Sequence, residues 1–296
     1  MEDSKNKSQS GILFLICAAA LWSTAGVLTK FNPWSGTTIA CIRGILAALT
    51  QILLTRTFRI KLNRTIVLTA LCYFGETFLF MIANKLTSAG SAIVLQNTSP
   101  LYIILFLYLF FRQKPSRLDC VVGVMIFGGI LLSMADTLFS GDLPGSNPML
   151  GNVLALISGI FYAGIFFCSR LPGADPLQST ILGSSMYVVL IPFVLTDGSF
   201  WANQTLPAWG SMLFMGIVQT GLAWLLFTKG IKNTPSLQAS FITMIEPVLN
   251  PVLALIFLGE AMGKLSIIGS GVVIVTLFLH NYLTAKQNPG SPENPS

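Results

Sequence analysis

Apolar stretches about 20 residues long recur along the whole chain, and they constrain the fold more than any other feature. A helix needs about 20 apolar residues to cross the hydrocarbon core of a bilayer. Only 9% of the residues are charged and 53% are hydrophobic, whereas soluble domains carry about a quarter charged residues. We therefore predict an all-α integral membrane protein, because a helix satisfies its own backbone hydrogen bonds in lipid. Ten transmembrane helices are predicted, at residues 11–30, 36–55, 66–84, 89–111, 119–137, 149–168, 178–196, 208–228, 236–258 and 263–283.

The second half of the chain repeats the first. Residues 87–132 align with residues 234–279 at an offset of 147, and residues 11–30 align with residues 151–170 at an offset of 140. Five spans per copy is an odd number, so the second copy must enter the membrane from the opposite side. We predict two inverted five-helix repeats around a central cavity, an arrangement in which secondary transporters bind substrate near the midplane. The predicted organisation is a cytoplasmic tail (1–10), a first repeat (11–137), a second, inverted repeat (149–283) and a second cytoplasmic tail (284–296).

The basic residues are sorted by side of the membrane. With a cytoplasmic N-terminus, thirteen of the 17 Lys and Arg residues lie on the inside, and three, Lys30, Lys85 and Lys264, lie on the outside. This positive-inside pattern predicts a multi-pass protein of the cell membrane (plasma or inner) with both termini in the cytoplasm. It also accounts for the basic pI of about 9.2, so no nucleic-acid partner is predicted. The polar ends, residues 1–10 and 285–296, are predicted to be disordered.

Residues that hold metals or attack substrates are sparse. The 5 cysteines lack CxxC spacing and fall in or beside apolar segments, so we interpret them as small buried hydrophobic residues. The chain has one histidine, His280, and no metal site is expected. It also lacks the HExxH, GxSxG and P-loop motifs. No cofactor is predicted, and a gradient of ions is the expected source of energy for any pumping.

Three strings resemble the drug/metabolite transporter superfamily of the EamA-domain type; they occupy residues 21–30, 84–102 and 229–274. The most specific piece is EPVLNP at 246–251, followed by LGE at 258–260. The resemblance covers about residues 11–283 as two EamA repeats. It implies ten helices around a central cavity, alternating access, and transport of small metabolites, often outward. The first repeat departs from the pattern, because Phe-Arg-Gln at 111–113 stands where LGE stands in the second, which suggests that the copies have specialised.

Glu246 in the ninth span is the strongest candidate for a functional residue. Burying a carboxylate at mid-membrane costs at least about 3 kcal/mol, so such an acid faces a cavity or a partner by default. Asn250 shares its helical face, and Gln96 lies on the mirror polar stripe of the fourth span. A cavity role and interhelical packing both fit these residues, and for Glu246 we favour the cavity. Helix breaks are predicted at Pro100, Pro247 and Pro251.

Glu76 in the third span is a second intramembrane acid, for which two explanations stay open. It either lines the cavity or pairs with Arg43, the only basic residue well inside a span. Trp22 and its repeat mate Tyr162 lie at mid-span, away from the interfacial belts where Trp and Tyr usually anchor. Aromatic faces at that depth suit a planar or cationic ligand. The tryptophans near loops, predicted to be interfacial anchors, are Trp34, Trp201 and Trp209.

We therefore predict a secondary transporter that moves a small amine-bearing or zwitterionic metabolite, amino-acid-like in size, as a proton-coupled exporter. Glu246 and Glu76 are the predicted coupling residues. One alternative is an importer or exchanger of a vitamin- or nucleotide-type metabolite, and a membrane-embedded enzyme is the alternative from another class. The expected partners are the small-molecule substrate and the lipid bilayer, with the protein a monomer or weak homodimer. The predicted substrate-binding residues are Trp22, Glu76, Gln96, Tyr162, Trp224, Glu246 and Asn250.

Overall fold

The fold is known from a computed structural model that describes residues 2–112, 114, 116–139, 145–168, 171–233, 242–243, 245–260 and 262–287. Every regular element in these residues is helical. The first half contains α1 (Glu2–Ser23), α2 (Ala25–Phe31), α3 (Gly36–Thr55), α4 (Arg64–Leu86), α5 (Ala89–Gln96), α6 (Ser99–Phe111) and α7 (Arg117–Phe139).

The second half has more irregular helices. It contains α8 (Pro148–Cys168), α9 (Pro176–Ser185), a 3-10 segment (Met186–Leu190), α10 (Ile191–Leu195), α11 (Gly198–Ala202), α12 (Leu206–Leu213), a π-helical segment (Phe214–Leu222), α13 (Ala223–Asn233), α14 (Ile245–Leu258) and α15 (Lys264–Gln287). A π-helix is uncommon and is often found at functional sites, so the segment Phe214–Leu222 is of interest below.

Side-chain caps begin several of these helices. Ser35 accepts a hydrogen bond from the backbone N–H of Thr38 at the start of α3, and Asn63 accepts one from that of Ile66 at the start of α4. Such caps satisfy backbone donors that the first helical turn leaves free. Arg56 ends α3 with a left-handed backbone, φ 54°. The elements therefore begin and end at residues with a local physical reason to do so.

Seven helical stretches of the described residues are long and apolar enough to cross a membrane; they are Ser10–Phe31, Gly36–Thr55, Arg64–Leu86, Ala89–Phe110, Pro148–Cys168, Pro176–Leu195 and Leu206–Gly230. Three shorter apolar helices, Cys120–Leu132, Ile245–Leu258 and Lys264–His280, lie within the remaining predicted spans. Large apolar side chains such as Leu53, Phe110 and Val124 are more than half exposed on the outside of the bundle. An apolar exterior is what a lipid environment requires, and the all-helical prediction is confirmed for the described residues.

The helices of the two halves pack against one another in a bundle. In this bundle α4 packs on α8 and α9, α1 packs on α13 and α14, and α3 packs on the π-helical segment. The pair α7 and α15 packs together, and α5 contacts both α8 and α14. Helices from the two halves therefore alternate around a shared centre.

Three expectations from the sequence are wrong in detail. The predicted N-terminal disordered tail is helical from Glu2, because extending an existing helix adds a hydrogen bond for each residue fixed. At the other end α15 continues to Gln287, into the predicted C-terminal tail, and the rest of that tail, residues 288–296, lies outside the described residues. Trp34 is not an interfacial anchor: it is 1% exposed, and its ring contacts Phe200 and Trp209 at 4.9 and 5.0 Å. The five cysteines are free as expected, but Cys17 and Cys120 are exposed rather than buried.

Candidate functional site

A cavity of about 40 Å³ lies where helices of both halves meet. It is large enough for a few water molecules, so a metabolite can enter only if the surrounding helices move apart. The cavity is lined by Trp22, Ala25, Arg43, Glu76, Thr77, Phe80, Gln96, Tyr162, Gln219, Trp224 and Glu246. Six of the seven predicted substrate-binding residues are therefore brought together here, from α1, α4, α5, α8, α13 and α14.

Glu76 is hydrogen-bonded on both carboxylate oxygens. Thr77 donates its hydroxyl to Oε2 at 2.6 Å, and Gln96 donates Nε2 to Oε1 at 2.5 Å. Within the described part of the chain, no ion pair joins Glu76 to Arg43. Of the two explanations left open by the sequence, the geometry therefore matches the one in which Glu76 lines the cavity.

Glu246 differs from Glu76 in having no such partners. Among the residues that the structure describes, none forms a hydrogen bond or an ion pair with its side chain. Glu246 is partly buried and lies in α14. Its carboxylate therefore has no fixed partner among the described residues and can bind a donor that enters the cavity.

Arg43 is fixed at one end of its guanidinium group and unsatisfied at the other. Its Nε donates to the hydroxyl of Thr220 at 2.5 Å, and that hydroxyl donates to Oε1 of Gln219 at 3.0 Å. The residue is 6% exposed, yet nothing in the described part of the chain accepts a hydrogen bond from its Nη1. The sequence offered Arg43 only as a partner for Glu76 and missed Gln219, although a glutamine inside an apolar run is a detectable signal.

The aromatic side chains that line the cavity form a wall that includes Trp22 of α1, Tyr162 of α8 and Trp224 of α13. The ring of Trp22 lies 5.1 Å from that of Trp224 and 5.2 Å from that of Phe227, and Tyr73 contacts Trp224 at 5.3 Å. Tyr162, in α8, belongs to the same half of the chain as Trp224. The indole N–H of Trp22 is buried and has no hydrogen-bond partner among the described residues. The wall therefore presents ring faces and one unused hydrogen-bond donor.

Asn250 lies outside the cavity lining. It is fully buried and packs against Gly26, where a Cβ would stand 2.5 Å from the Asn250 Oδ1. Glycine at position 26 therefore permits the close approach of α2 and α14. Asn250 belongs to a helix contact beside the site, and its predicted contact with substrate is not apparent in this conformation.

The predicted helix breaks at the prolines are seen in the first half only. The fourth span is interrupted at Asn97 and Thr98, and Pro100 is the second residue of α6. In the second half, Pro247 and Pro251 both lie inside α14, and the helix continues through them. Gln96 lies beside the interruption of the fourth span, where freed backbone groups are tolerated next to protein or water.

Polar contacts join the two halves at both ends of the bundle. At one end Lys30 forms an ion pair with Glu260 at 2.9 Å, and Glu260 also accepts from the backbone N–H of Ala89 at 3.1 Å. At the other end, Asn63 donates to the carbonyl of Gly173 at 2.8 Å. These contacts lie at opposite ends of the bundle, where they can hold the two halves together on either side of the cavity.

Asp197 forms a second polar cluster at the Lys30 end. Its carboxylate accepts hydrogen bonds from the hydroxyls of Ser35 at 2.6 Å, of Ser199 at 2.6 Å and of Thr38. Desolvation acts to raise the pKa of Asp197, but these hydrogen bonds outweigh it and hold the pKa well below its usual range. The charged form of Asp197 therefore links the start of α3 to the start of α11.

A larger hollow of about 620 Å³ lies on the outside of α4, but it has a different character. Its lining includes the exposed side chains of Leu62, Val67, Leu68 and Leu71. These side chains suit lipid contact, so the small polar cavity is the better candidate. Across the described residues, no group of three or more His, Cys, Asp or Glu side chains is placed to hold a metal ion.

The model of the EamA-like transporter family matches residues 9–135 and 149–282. The chain belongs to this family. It is therefore a multi-pass membrane protein of a transporter family, and the resemblance noted in the sequence is confirmed. The two matched segments are consecutive EamA-like regions on either side of a short connection.

Several curated EamA-like relatives are similar over most of their length. The uncharacterized transporter YwfM of Bacillus subtilis (strain 168) is 24% identical over 289 residues, which cover 93% of this chain and 95% of the relative. The threonine/homoserine exporter RhtA of Escherichia coli (strain K12) is 24% identical over 271 residues, which cover 89% and 88%. A solved crystal structure of a protein matches with a TM-score of 0.60 and 18% identity, covering 94% of this chain and 99% of that one. This structural likeness supports the overall fold.

Proposed function

We propose that this EamA-like protein exports a small amine-bearing or zwitterionic metabolite, amino-acid-like in size, by proton-coupled alternating access. The observation that carries the proposal is the cavity between the halves, which two carboxylates and an aromatic wall line together. Intramembrane acids mark substrate or proton pathways by default. An ammonium group is the chemistry that an acid and ring faces bind well.

The charge of the lining favours this substrate class over a nucleotide. Glu76 and Glu246 contribute two acids, and Arg43 is the single basic residue that lines the cavity in the described chain. A phosphate-bearing ligand would meet repulsion from both acids in a site of low dielectric. The relative RhtA is named an exporter of threonine and homoserine, which agrees with a substrate of this size and charge.

An inverted-repeat architecture of ten spans is part of the proposal, and the helix contacts support it. When each span is replaced by its repeat mate, α4 becomes α13 and α8 becomes α1. The contact of α4 with α8 then corresponds to the contact of α13 with α1, and both contacts are present. The same exchange turns the contact of α3 with the π-helical segment into that of α9 with α4, while α7 and α15 exchange with each other. Such exchange is expected of two similar units related by a pseudo-two-fold axis.

The proposed orientation places both termini in the cytoplasm of the cell and the Lys30 end of the bundle outside. The bias of Lys and Arg residues supports it. A single cysteine introduced in the 197–207 loop should react with an impermeant maleimide added to intact cells. Reaction only after the membrane is opened would contradict this topology.

Glu246, assisted by Glu76, is the proposed site of proton exchange. A carboxylate without a fixed partner can take up either a proton or the ammonium group of a substrate, but not both. Competition of this kind couples proton movement to substrate movement, because binding of the proton releases the substrate and binding of the substrate releases the proton. The oligomeric state proposed for this cycle is a monomer or a weak homodimer, since the cavity is built from one chain.

Flux in proteoliposomes tests the proposed function. Purified protein is reconstituted in lipid vesicles, and uptake of each standard amino acid is measured with and without a pH gradient. We expect at least one amino acid to move faster than in protein-free vesicles and to accumulate only when the gradient is present. Absence of flux for every amino acid and amine, in a preparation that remains folded and monodisperse, would overturn the proposal.

A further inference from the structure

We propose that Arg43 binds the carboxylate of the transported molecule, so that the substrate is an amino acid and not a simple amine. This inference rests on the proposed transport function and narrows its substrate class. It assigns Arg43 as a residue that determines specificity, and Glu246 as the acid that receives the ammonium group.

The first observation is the unsatisfied guanidinium group. Arg43 is 6% exposed and lines the cavity, but its Nη1 has no hydrogen-bond partner among the residues that the structure describes. A buried donor without an acceptor is unfavourable, more so when it is charged. A carboxylate fits the planar fork of arginine with two parallel hydrogen bonds. The ligand that best satisfies this group is therefore one that brings its own carboxylate.

The second observation is that the acids of the protein leave Arg43 unpaired. Both oxygens of Glu76 are occupied by Gln96 and Thr77. Within the described residues, Glu246 forms no ion pair with Arg43 either. The cavity therefore holds a cation and an acid, Arg43 and Glu246, for which the described residues supply no ion-pair partner. A zwitterion supplies one group of each sign and leaves the net charge of the site unchanged.

The third observation is that Arg43 is held in position from a different helix. Its Nε is fixed by Thr220, which in turn donates to Gln219, and both residues lie in the π-helical segment of the second half. A preorganised donor loses little freedom when it binds ligand. Sites built to hydrogen-bond a particular group reject analogues that lack it far more strongly than apolar pockets reject a missing methylene. Arg43 should therefore discriminate strongly against amines without a carboxylate.

The test compares three ligands that differ only at the carboxylate: L-threonine, L-threoninamide and 1-amino-2-propanol. Threonine is the probe because of its charge pattern and size. We expect the wild-type protein in vesicles to prefer threonine over both analogues by at least about tenfold, as the loss of one charged hydrogen-bonded contact predicts. In Arg43→Gln the preference should shrink to about twofold or less. Arg43→Lys, which keeps the charge but loses the fork, should lie between the two.

The matched control is Arg56→Gln, which changes an exposed arginine at the end of the same helix, α3. This variant should keep the wild-type preference. If Arg43→Gln does not fold, the selectivity of the wild-type protein and of Arg43→Lys still decides. Equal transport of threonine and both analogues by the wild-type protein would overturn the role of Arg43 while leaving amine transport intact. If threonine is not a substrate, the amino acid that moves best replaces it, together with its amide and amine; if no amino acid or amine moves at all, the proposed function itself fails.

Discussion

The predicted fourth and ninth spans align in sequence at the offset of 147 residues, and comparing them shows what the two sequences share. Both reach a residue with a left-handed backbone at the same repeat position, Arg112 with φ 54° and Gly259 with φ 65°. Their side chains are chemically different, since Ser99 stands where Glu246 stands. The left-handed backbone is therefore common to both copies, whereas the carboxylate is present in the second copy only.

The loops that follow these spans differ in the same way. Glu260 forms an ion pair with Lys30, and its repeat counterpart, Gln113, carries no charge and cannot form one. The sequence therefore allows this ion pair in only one copy. In the proposed alternating-access cycle, identical halves would open equally easily on both sides, so we expect this difference to bias which side is closed.

The largest expected effect comes from exchanging the acid of the ninth span for its amide. Glu246→Gln should abolish accumulation driven by a pH gradient, because the amide cannot exchange a proton at working pH. Ser99→Ala, the matched change in the fourth span, should retain accumulation. Uptake in vesicles is measured alongside gel-filtration profiles of both variants. Unchanged pH-driven uptake in Glu246→Gln would remove this residue from coupling.

The ion pair at the Lys30 end should have the next largest effect. Its two side chains are 12% and 15% exposed, so breaking it leaves a partly buried charge unpaired. Glu260→Gln, which gives the second copy the residue of the first, should destabilise the protein by about 1–3 kcal/mol. The readout is the Tm in detergent, which should be lower in the variant than in the wild-type protein.

A double-mutant cycle sharpens this result. In a Lys30→Met background, Glu260→Gln should cost much less, because the partner of Glu260 has already been removed. Equal costs in the two backgrounds would mean that the ion pair does not hold this end of the bundle closed.

Substitutions at Gly259 and Arg112, the two left-handed residues that follow the matched spans, should change the stability of the protein in opposite directions. A Cβ at Gly259 would meet nothing within 4 Å, so Gly259→Ala has only the conformational cost of the left-handed backbone, about 1 kcal/mol. Arg112→Gly relieves that same cost and should stabilise the protein by less than about 1 kcal/mol, since glycine also gains freedom in the unfolded chain. Thermal unfolding of the two variants measures both signs. Destabilisation by Arg112→Gly would show that the Arg112 side chain makes contacts that outweigh the backbone.

The smallest effect concerns the caps that join the halves at opposite ends, Asp197 and Asn63. The folded pKa of Asp197 is lowered, so its stabilising contribution is present above the pKa of an unfolded aspartate, about 4. That contribution is lost as the pH falls from there through the folded pKa. The Tm of the wild-type protein should thus fall more between pH 5 and pH 3 than that of Asp197→Asn. Asn63→Ala has no titrating group to lose and should retain the wild-type pH dependence, and equal acid sensitivity in Asp197→Asn would contradict the linkage.

Much of the site could be predicted from the chain because intramembrane polar residues are so few. Six predicted residues line one cavity, as expected when an acid or glutamine in lipid must face the interior. Asn250 has the same pattern but packs against Gly26 instead, since a helical face is wider than the cavity it borders. The prediction that Trp34 is an interfacial anchor is wrong, because closeness to a loop in sequence does not show whether another part of the chain covers the residue.

The sequence by itself determined that this chain spans a membrane many times as helices, that its halves repeat, and which charged residues are costly enough to need a function. These properties follow from apolar length and from spacing along one segment. Only the tertiary structure decided that Gln96 and Thr77 occupy Glu76, and that Arg43 is held by Thr220, a residue 177 positions away. Such pairings depend on how distant helices pack, because hydrogen bonds are made over about 3 Å in space whatever the separation along the chain.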